Sequence, residues 1–189
     1  MKPRALSWLA LGLCIGLLAK AAGEAPARVD DPGHLLPSGE AGKIAARLED
    51  FERGSGIRVL VQFHAKSPPE AEDKVPGAYM SALAGQLGTR PHGVLVVYFA
   101  DDPDWRVWIG DELTSRFAGK PGTVRELTAS GAIHAVKEVM LDSAHAKAEA
   151  AFSALQKSAP VTVPPTPAQH LQLQTEALLD ALLAKFSGK

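Results

Sequence analysis

The spacing of apolar positions changes repeatedly along the chain, and each change predicts an element. From Ser38 to Arg53, Ile44, Leu48 and Phe51 recur at helical spacing together with Ala41 and Ala45, the mark of an amphipathic helix. Ser38 stands where an N-cap would, Glu40 lies in the first turn, where the helix dipole favours an anion, and Gly54 and Gly56 end the pattern. Ile57 to His64 then alternates. Ile57, Val59, Val61 and Phe63 make one apolar face, and Arg58, Leu60, Gln62 and His64 a mixed one, as in a strand. After a polar loop, Ala65 to Lys74, helical spacing returns from Val75 to Leu87, with Tyr79, Met80, Leu83 and Leu87 on one face. Gly93 opens an unbroken apolar run, Val94 to Ala100, with the length and bounds of a strand buried on both faces. Asp101, Asp102, Pro103 and Asp104 break it, and a second strand, Trp105 to Ile109, runs up to Gly110. So short a turn makes these strands antiparallel neighbours, with Trp105 and Trp108 on opposite faces.

Beyond Gly110 the pattern is helical. One or two turns are expected over 111–117, then a loop, Ala118 to Gly122, then a helix from Val124 to Leu141 interrupted at Ser130-Gly131. Asp142 or Ser143 is expected to cap a further Ala-rich helix to about Lys157. Residues 159–167 form a Pro-rich spacer, and 168–189 carry an amphipathic helix with Leu171, Leu178, Leu182 and Phe186 at near-heptad spacing. The expected fold class is α/β. It is a mixed β-sheet of three to four strands between helices, with a βαβ unit plus an antiparallel hairpin, followed by a C-terminal helix. The right-handed crossover makes the first two long strands parallel.

The N-terminus reads differently from the rest. Lys2 and Arg4 precede an apolar run from Ala5 to Ala19, and Ala19-Lys20-Ala21 has the small-x-small form of a cleavage site. Residues 1–21 are therefore expected to be a signal peptide, which places the mature chain in the periplasm or outside the cell. The expected organisation continues with a leader (22–28), an α/β domain (29–158), the linker (159–167) and the terminal helix (168–189). Cys14 is the only cysteine and lies in the apolar run; Leu13 before it argues against a lipid anchor. The mature chain then has no thiol chemistry. Losing Lys2, Arg4 and Lys20 and no acid leaves 17 of the 20 basic side chains against 21 acidic ones, a net charge of −4. Without basic clusters, that charge excludes nucleic acid as an expected partner.

The candidate chemistry sits at one end of the sheet. Parallel strands share an edge at their C-terminal ends, where ligands of open α/β sheets bind. That edge is expected to gather Asp30, Asp31, His64, Asp101, Asp102 and Asp104. Clustered carboxylates repel unless a cation joins them, and hard divalent cations prefer oxygen, so Asp30, Asp31, Asp101, Asp102 and Asp104 are the expected metal ligands, with calcium the expected ion. His64 at a strand end is weighed as a surface histidine before a ligand. The opposite rim collects His92, Gly93, Asp111 and Glu112, a weaker candidate. An EF-hand is excluded because Arg106 and Val107 break its spacing, and D-x-D-x-T/V phosphatase chemistry because Arg106 stands at the Thr/Val position. No G-x-S-x-G, H-E-x-x-H, P-loop or dinucleotide-binding glycine pattern occurs.

Three stretches give the chain a resemblance to the TPM-domain family of secreted, periplasmic and thylakoid-lumen modules. They are V-D-D-P-G-H-L-L-P (29–37), E-R-G-S-G-I-R-V-L-V (52–61) and H-G-V-L-V-V-Y-F-A-D-D-P-D-W-R-V-W-I-G-D-E-L (92–113). The resemblance spans about Val29 to Lys157. The family's Asn-Gly entry to the central strand is His92-Gly93 here, its acidic turn is longer by Pro103-Asp104, and its usual membrane helix is absent. The resemblance implies a mixed sheet between helices, a divalent-metal site and, for some members, phosphatase activity. Two function classes follow: a binding or assembly module with a protein partner, ranked first, and a metal-dependent phosphatase acting on phosphate esters. The terminal helix is too interrupted by polar residues to cross a bilayer. Its polar face is too poor in Lys and Arg for peripheral contact with anionic lipid. It is expected to pack on its own domain or on a protein partner, and a chain ending at Ser158 is expected to stay folded.

Overall fold

The computed structural model describes residues 25–160 and 162–187; the expected signal peptide, Cys14 and the start of the leader lie outside them. Four strands form one sheet in the order β1-β2-β3-β4: β1 (Val29–Asp30), β2 (Arg58–His64), β3 (Gly93–Phe99) and β4 (Asp104–Ile109). The first three are parallel and β4 is antiparallel to β3. This is the expected mixed sheet with its hairpin. The short β1 has no periodicity to betray it. It forms because the leader is pinned: Arg28 accepts a bond from Val61 N–H at 2.9 Å and ion-pairs with Glu52. The last leader residue is therefore fixed in place.

The helices are α1 (Glu40–Ser55), α2 (Glu70–Asp73), α3 (Ala78–Gln86), α4 (Thr114–Ala118), α5 (Val124–Ala129), α6 (Ala132–Ser158) and α7 (Pro167–Ser187), with a 3-10 turn at Asp111–Leu113. Two local readings change. Ser38 does not cap α1; the N-cap is Gly39, at φ 83°, with no side-chain cap bond. Asp142 and Ser143 do not start a helix either, because α6 runs unbroken for 27 residues and both lie exposed on its outer side. The single-turn α2 interrupts the expected Ala65–Lys74 loop, and Gly77 delays the following helix to Ala78. The interruption at Ser130-Gly131 is real: Gly131 at φ 69° separates α5 from α6.

Strand alternation divides the core. Val59, Val61, Phe63, Val94, Val96, Val107 and Ile109 face α1, α6 and α7, while Leu60, Leu95, Val97 and Phe99 face α3. The tail is part of the larger core. Leu171, Leu178, Leu179, Leu182, Leu183 and Phe186 are all buried there. Its start is set by a capping box: Gln169 N–H donates to Thr166 Oγ1 at 3.2 Å, and Thr166 N–H to Gln169 Oε1 at 2.8 Å. Among the described residues, no helix is long and apolar enough to cross a membrane.

Candidate functional site

Asp101, Asp102 and Asp104 follow the C-terminal end of β3, and Asp30 and Asp31 lie at the end of β1, but Asp31, Asp101 and Asp104 are committed to the protein. Asp31 accepts from Leu35 N–H at 2.8 Å and Leu36 N–H at 3.0 Å, closing the turn before α1. Asp101 accepts from Ser67 N–H at 2.8 Å and Ser67 Oγ at 3.0 Å, tying the loop after β2 to the hairpin. Asp104 accepts from Arg106 Nε at 3.2 Å, and Arg106 Nη1 also reaches Asp73 at 2.5 Å, pinning α2. Asp30 and Asp102 are exposed. Among the described residues, no three His, Cys, Asp or Glu side chains come together so as to hold a metal ion. As placed, the five aspartates do not make a preformed oxygen cage.

His64 faces α3. Its Nε2 lies 3.1 Å from Gln62 Oε1 and its Nδ1 3.3 Å from the Tyr79 hydroxyl, with the ring edge-on to Phe99. With Nε2 carrying the proton, the other nitrogen accepts from Tyr79. Burial lowers its pKa, opposed by the nearby Asp30 carboxylate. At the weaker rim, His92 Nδ1 lies 3.2 Å from Glu112, on the surface.

The larger feature lies elsewhere, along the free edge of β4. Gly110 N–H donates to Gly93 O at 2.8 Å. A side chain at Gly110 would collide with Gly93 N and O and Pro91 O, all within 2.8 Å of its Cβ, so only glycine lets the two strands close here. That bond sets the phase of the ladder. With Ile109 opposite Val94 and Val107 opposite Val96, Asp104, Arg106 and Trp108 turn their N–H and C=O groups toward β3. Trp105, Val107 and Ile109 turn theirs outward. Among the described residues, no strand lies beside β4 on its outer side.

A groove of about 470 Å³ runs over this edge. One wall is the start of α3, with Pro76, Gly77 and Met80; the other is α5 and α6, with Val124, Ile133, Lys137 and Leu141. Trp105, Val107, Trp108 and Ile109 supply the floor. Trp105 packs edge-on against Phe63 and beside Tyr98, with ring centroids 5.9 and 4.9 Å away. The indole N–H groups of both Trp105 and Trp108 are buried without an acceptor.

Lys137 is the unusual member. It lies one turn from Ile133 and one from Leu141, on the apolar side of α6. No ion pair or hydrogen bond to its ammonium occurs among the described residues, and loss of water lowers its pKa to about 8. The groove's other charges are mostly occupied. Arg106 holds Asp73 and Asp104, and exposed His134 lies 2.9 Å from Glu138.

Two signals of this edge are present in the sequence. The hairpin's second strand has no later strand to pair with, and Lys137 interrupts an apolar stripe at i ± 4 from Ile133 and Leu141. Comparison with protein-family models and with curated proteins gives no match.

Proposed function

We propose that the chain is a binding module that takes an extended polypeptide segment as an added strand on β4. The observation that carries this is the outward phase of the backbone groups of Trp105, Val107 and Ile109 on the floor of a groove of about 470 Å³ walled on both sides. Strand addition supplies main-chain hydrogen bonds for affinity and lets the two walls read alternate side chains. The apolar floor and the two indoles supply the buried area that fixes such a segment. The reading agrees with the assembly role and protein partner expected from the sequence. With the signal peptide, it makes the chain an exported, TPM-like module.

The rim supports a calcium-dependent or phosphatase reading less. Asp31, Asp101 and Asp104 already hold backbone, serine and arginine partners, and a cation would compete with them for the same carboxylates. The test of strand addition follows from the ladder phase. The N–H of Val107 points away from β3, so Val107→Pro removes an edge donor without breaking the hairpin. Selection of extended peptides from a random displayed library is expected with the native chain and lost with Val107→Pro. Peptides that bind both proteins equally would reject the reading.

A further inference from the structure

Resting on that reading, we infer that the segment carries an acidic side chain, Asp or Glu, within an otherwise apolar stretch, and that its carboxylate meets Lys137 in the groove. A strand added to β4 turns alternate side chains to opposite walls. On the α3 side they meet Pro76, Gly77 and Met80, beside Arg106, whose charge is already held by Asp73 and Asp104. On the α6 side they meet Ile133, Lys137 and Leu141, with the exposed His134–Glu138 pair alongside. Among the described residues, Lys137 is the cation there without a partner, and apolar residues bracket it one turn to each side. A desolvated ammonium without a counter-charge is costly, and a charge-assisted bond to a carboxylate relieves that cost when the groove fills. Its lowered pKa agrees with this environment. The carboxylate belongs to a side chain because the groove runs along the edge of β4, so a bound segment passes through it.

The experiment uses the full chain and a displayed library of random heptapeptides joined to carrier at their C-termini, so that no free terminal carboxylate is present. Peptides with one Asp or Glu at a fixed position between apolar residues are expected to enrich. A selected peptide remade with Gln for that acid should bind at least about tenfold more weakly. Lys137→Met should weaken the acidic peptide much more than the Gln peptide, so that the two bind about equally. Enrichment of neutral or basic residues there, or an acidic peptide indifferent to Lys137→Met, would overturn the inference. Strand addition would still stand if Val107→Pro abolished selection. If no selected peptide depends on Val107, strand addition itself falls. A measurement on the unmodified chain guards against misfolded variants: a bound peptide should slow hydrogen exchange at the amides of Trp105, Val107 and Ile109. Self-association that protects these amides and excludes the peptides would assign the groove to a second copy and overturn the proposal.

Discussion

The two edges of the sheet are built to opposite ends. At one edge β1 is two residues long, ends in an exposed Asp30 and is tied down through Arg28. A strand so short and so charged offers little for another chain to pair with, a usual defence of exposed edges. At the other edge β4 runs for six residues with apolar side chains and outward backbone groups. It is protected by walls, not by brevity. Another protein edge approaching there would meet α3 and α5–α6 first. On the proposed reading, these walls shield the long edge against general aggregation while leaving it to a single extended segment.

The largest effect is expected from removing the support behind the groove. α7 packs along α6 and buries Leu171, Leu178, Leu179, Leu182, Leu183 and Phe186. At roughly 1.5–3 kcal/mol for each large apolar side chain, its loss costs on the order of 10 kcal/mol, comparable with the whole stability of about 5–15 kcal/mol typical of a domain. The structure thus reverses the expectation for a chain ending at Ser158. Such a chain should show no cooperative urea transition, and retention of a native-like midpoint would separate the groove from its supposed backing.

Next come the two prolines that read the phase of β4. Trp108 turns its N–H toward β3, so Trp108→Pro should cost roughly 1–3 kcal/mol beyond Trp108→Ala, from a lost ladder bond and an orphaned acceptor. Val107→Pro should lie within about 1 kcal/mol of Val107→Ala, because its N–H has no ladder partner to lose. Urea midpoints of the four variants measure both differences. Equal penalties would mean that the assigned phase, and the free edge with it, is wrong.

A smaller effect of opposite sign belongs to Lys137. Its pKa of about 8 in the fold, against about 10.4 for an unfolded lysine, means that the unfolded chain binds more protons between those values. Stability should therefore rise with pH across that window, by at most about 3 kcal/mol. Lys137→Met should remove this rise and stabilise the free chain at neutral pH by roughly 1–3 kcal/mol. Chemical denaturation from neutral to pH ~10, compared between the native chain and the variant, isolates Lys137 from the other lysines. A variant no more stable than the native chain would show that its ammonium is already solvated.

The fold was largely legible, and its gaps have physical causes. The hairpin, β2, α1 and the break at Ser130-Gly131 announce themselves because periodicity and glycine act locally. β1 does not, since its two residues become a strand only through partners on β2. Asp142 and Ser143 look like caps, but α6 continues because Met140, Ala144 and Ala148 keep its buried face going past them. Topology puts the rim aspartates near one end of the sheet; their bonding is not legible, because Ser67 reaches Asp101 from a loop and Asp73 reaches Arg106 from α2. The β4 groove was hidden for a related reason: Trp105 and Lys137 are far apart in the chain and share a site only through the packing of α6.

The smallest effect is expected where the sequence reading placed its site. Around Asp101, loss of surrounding water pushes the pKa up, but the Ser67 N–H and hydroxyl, with the local backbone amides, hold it below its ordinary value. A carboxylate lowered in this way stabilises the fold above its unfolded pKa and loses that contribution as pH falls through the folded value. At neutral pH and in mild acid this contribution is fully present, so Asp101→Asn should lower the melting temperature there, but only slightly because the group is solvent-exposed. It should also flatten part of the decline in stronger acid. An amide oxygen still accepts from Ser67, so the tie between the loop and the hairpin persists in weakened form. Calcium sharpens the contrast with the groove. If the rim gathers the ion through Asp101, the neutral amide of Asp101→Asn should abolish the calcium-dependent shift in melting temperature. Peptide binding on β4 should be indifferent to the same substitution. A rim variant that lost peptide binding would couple the two ends of the hairpin and end the separation drawn here between a structural rim and a binding edge.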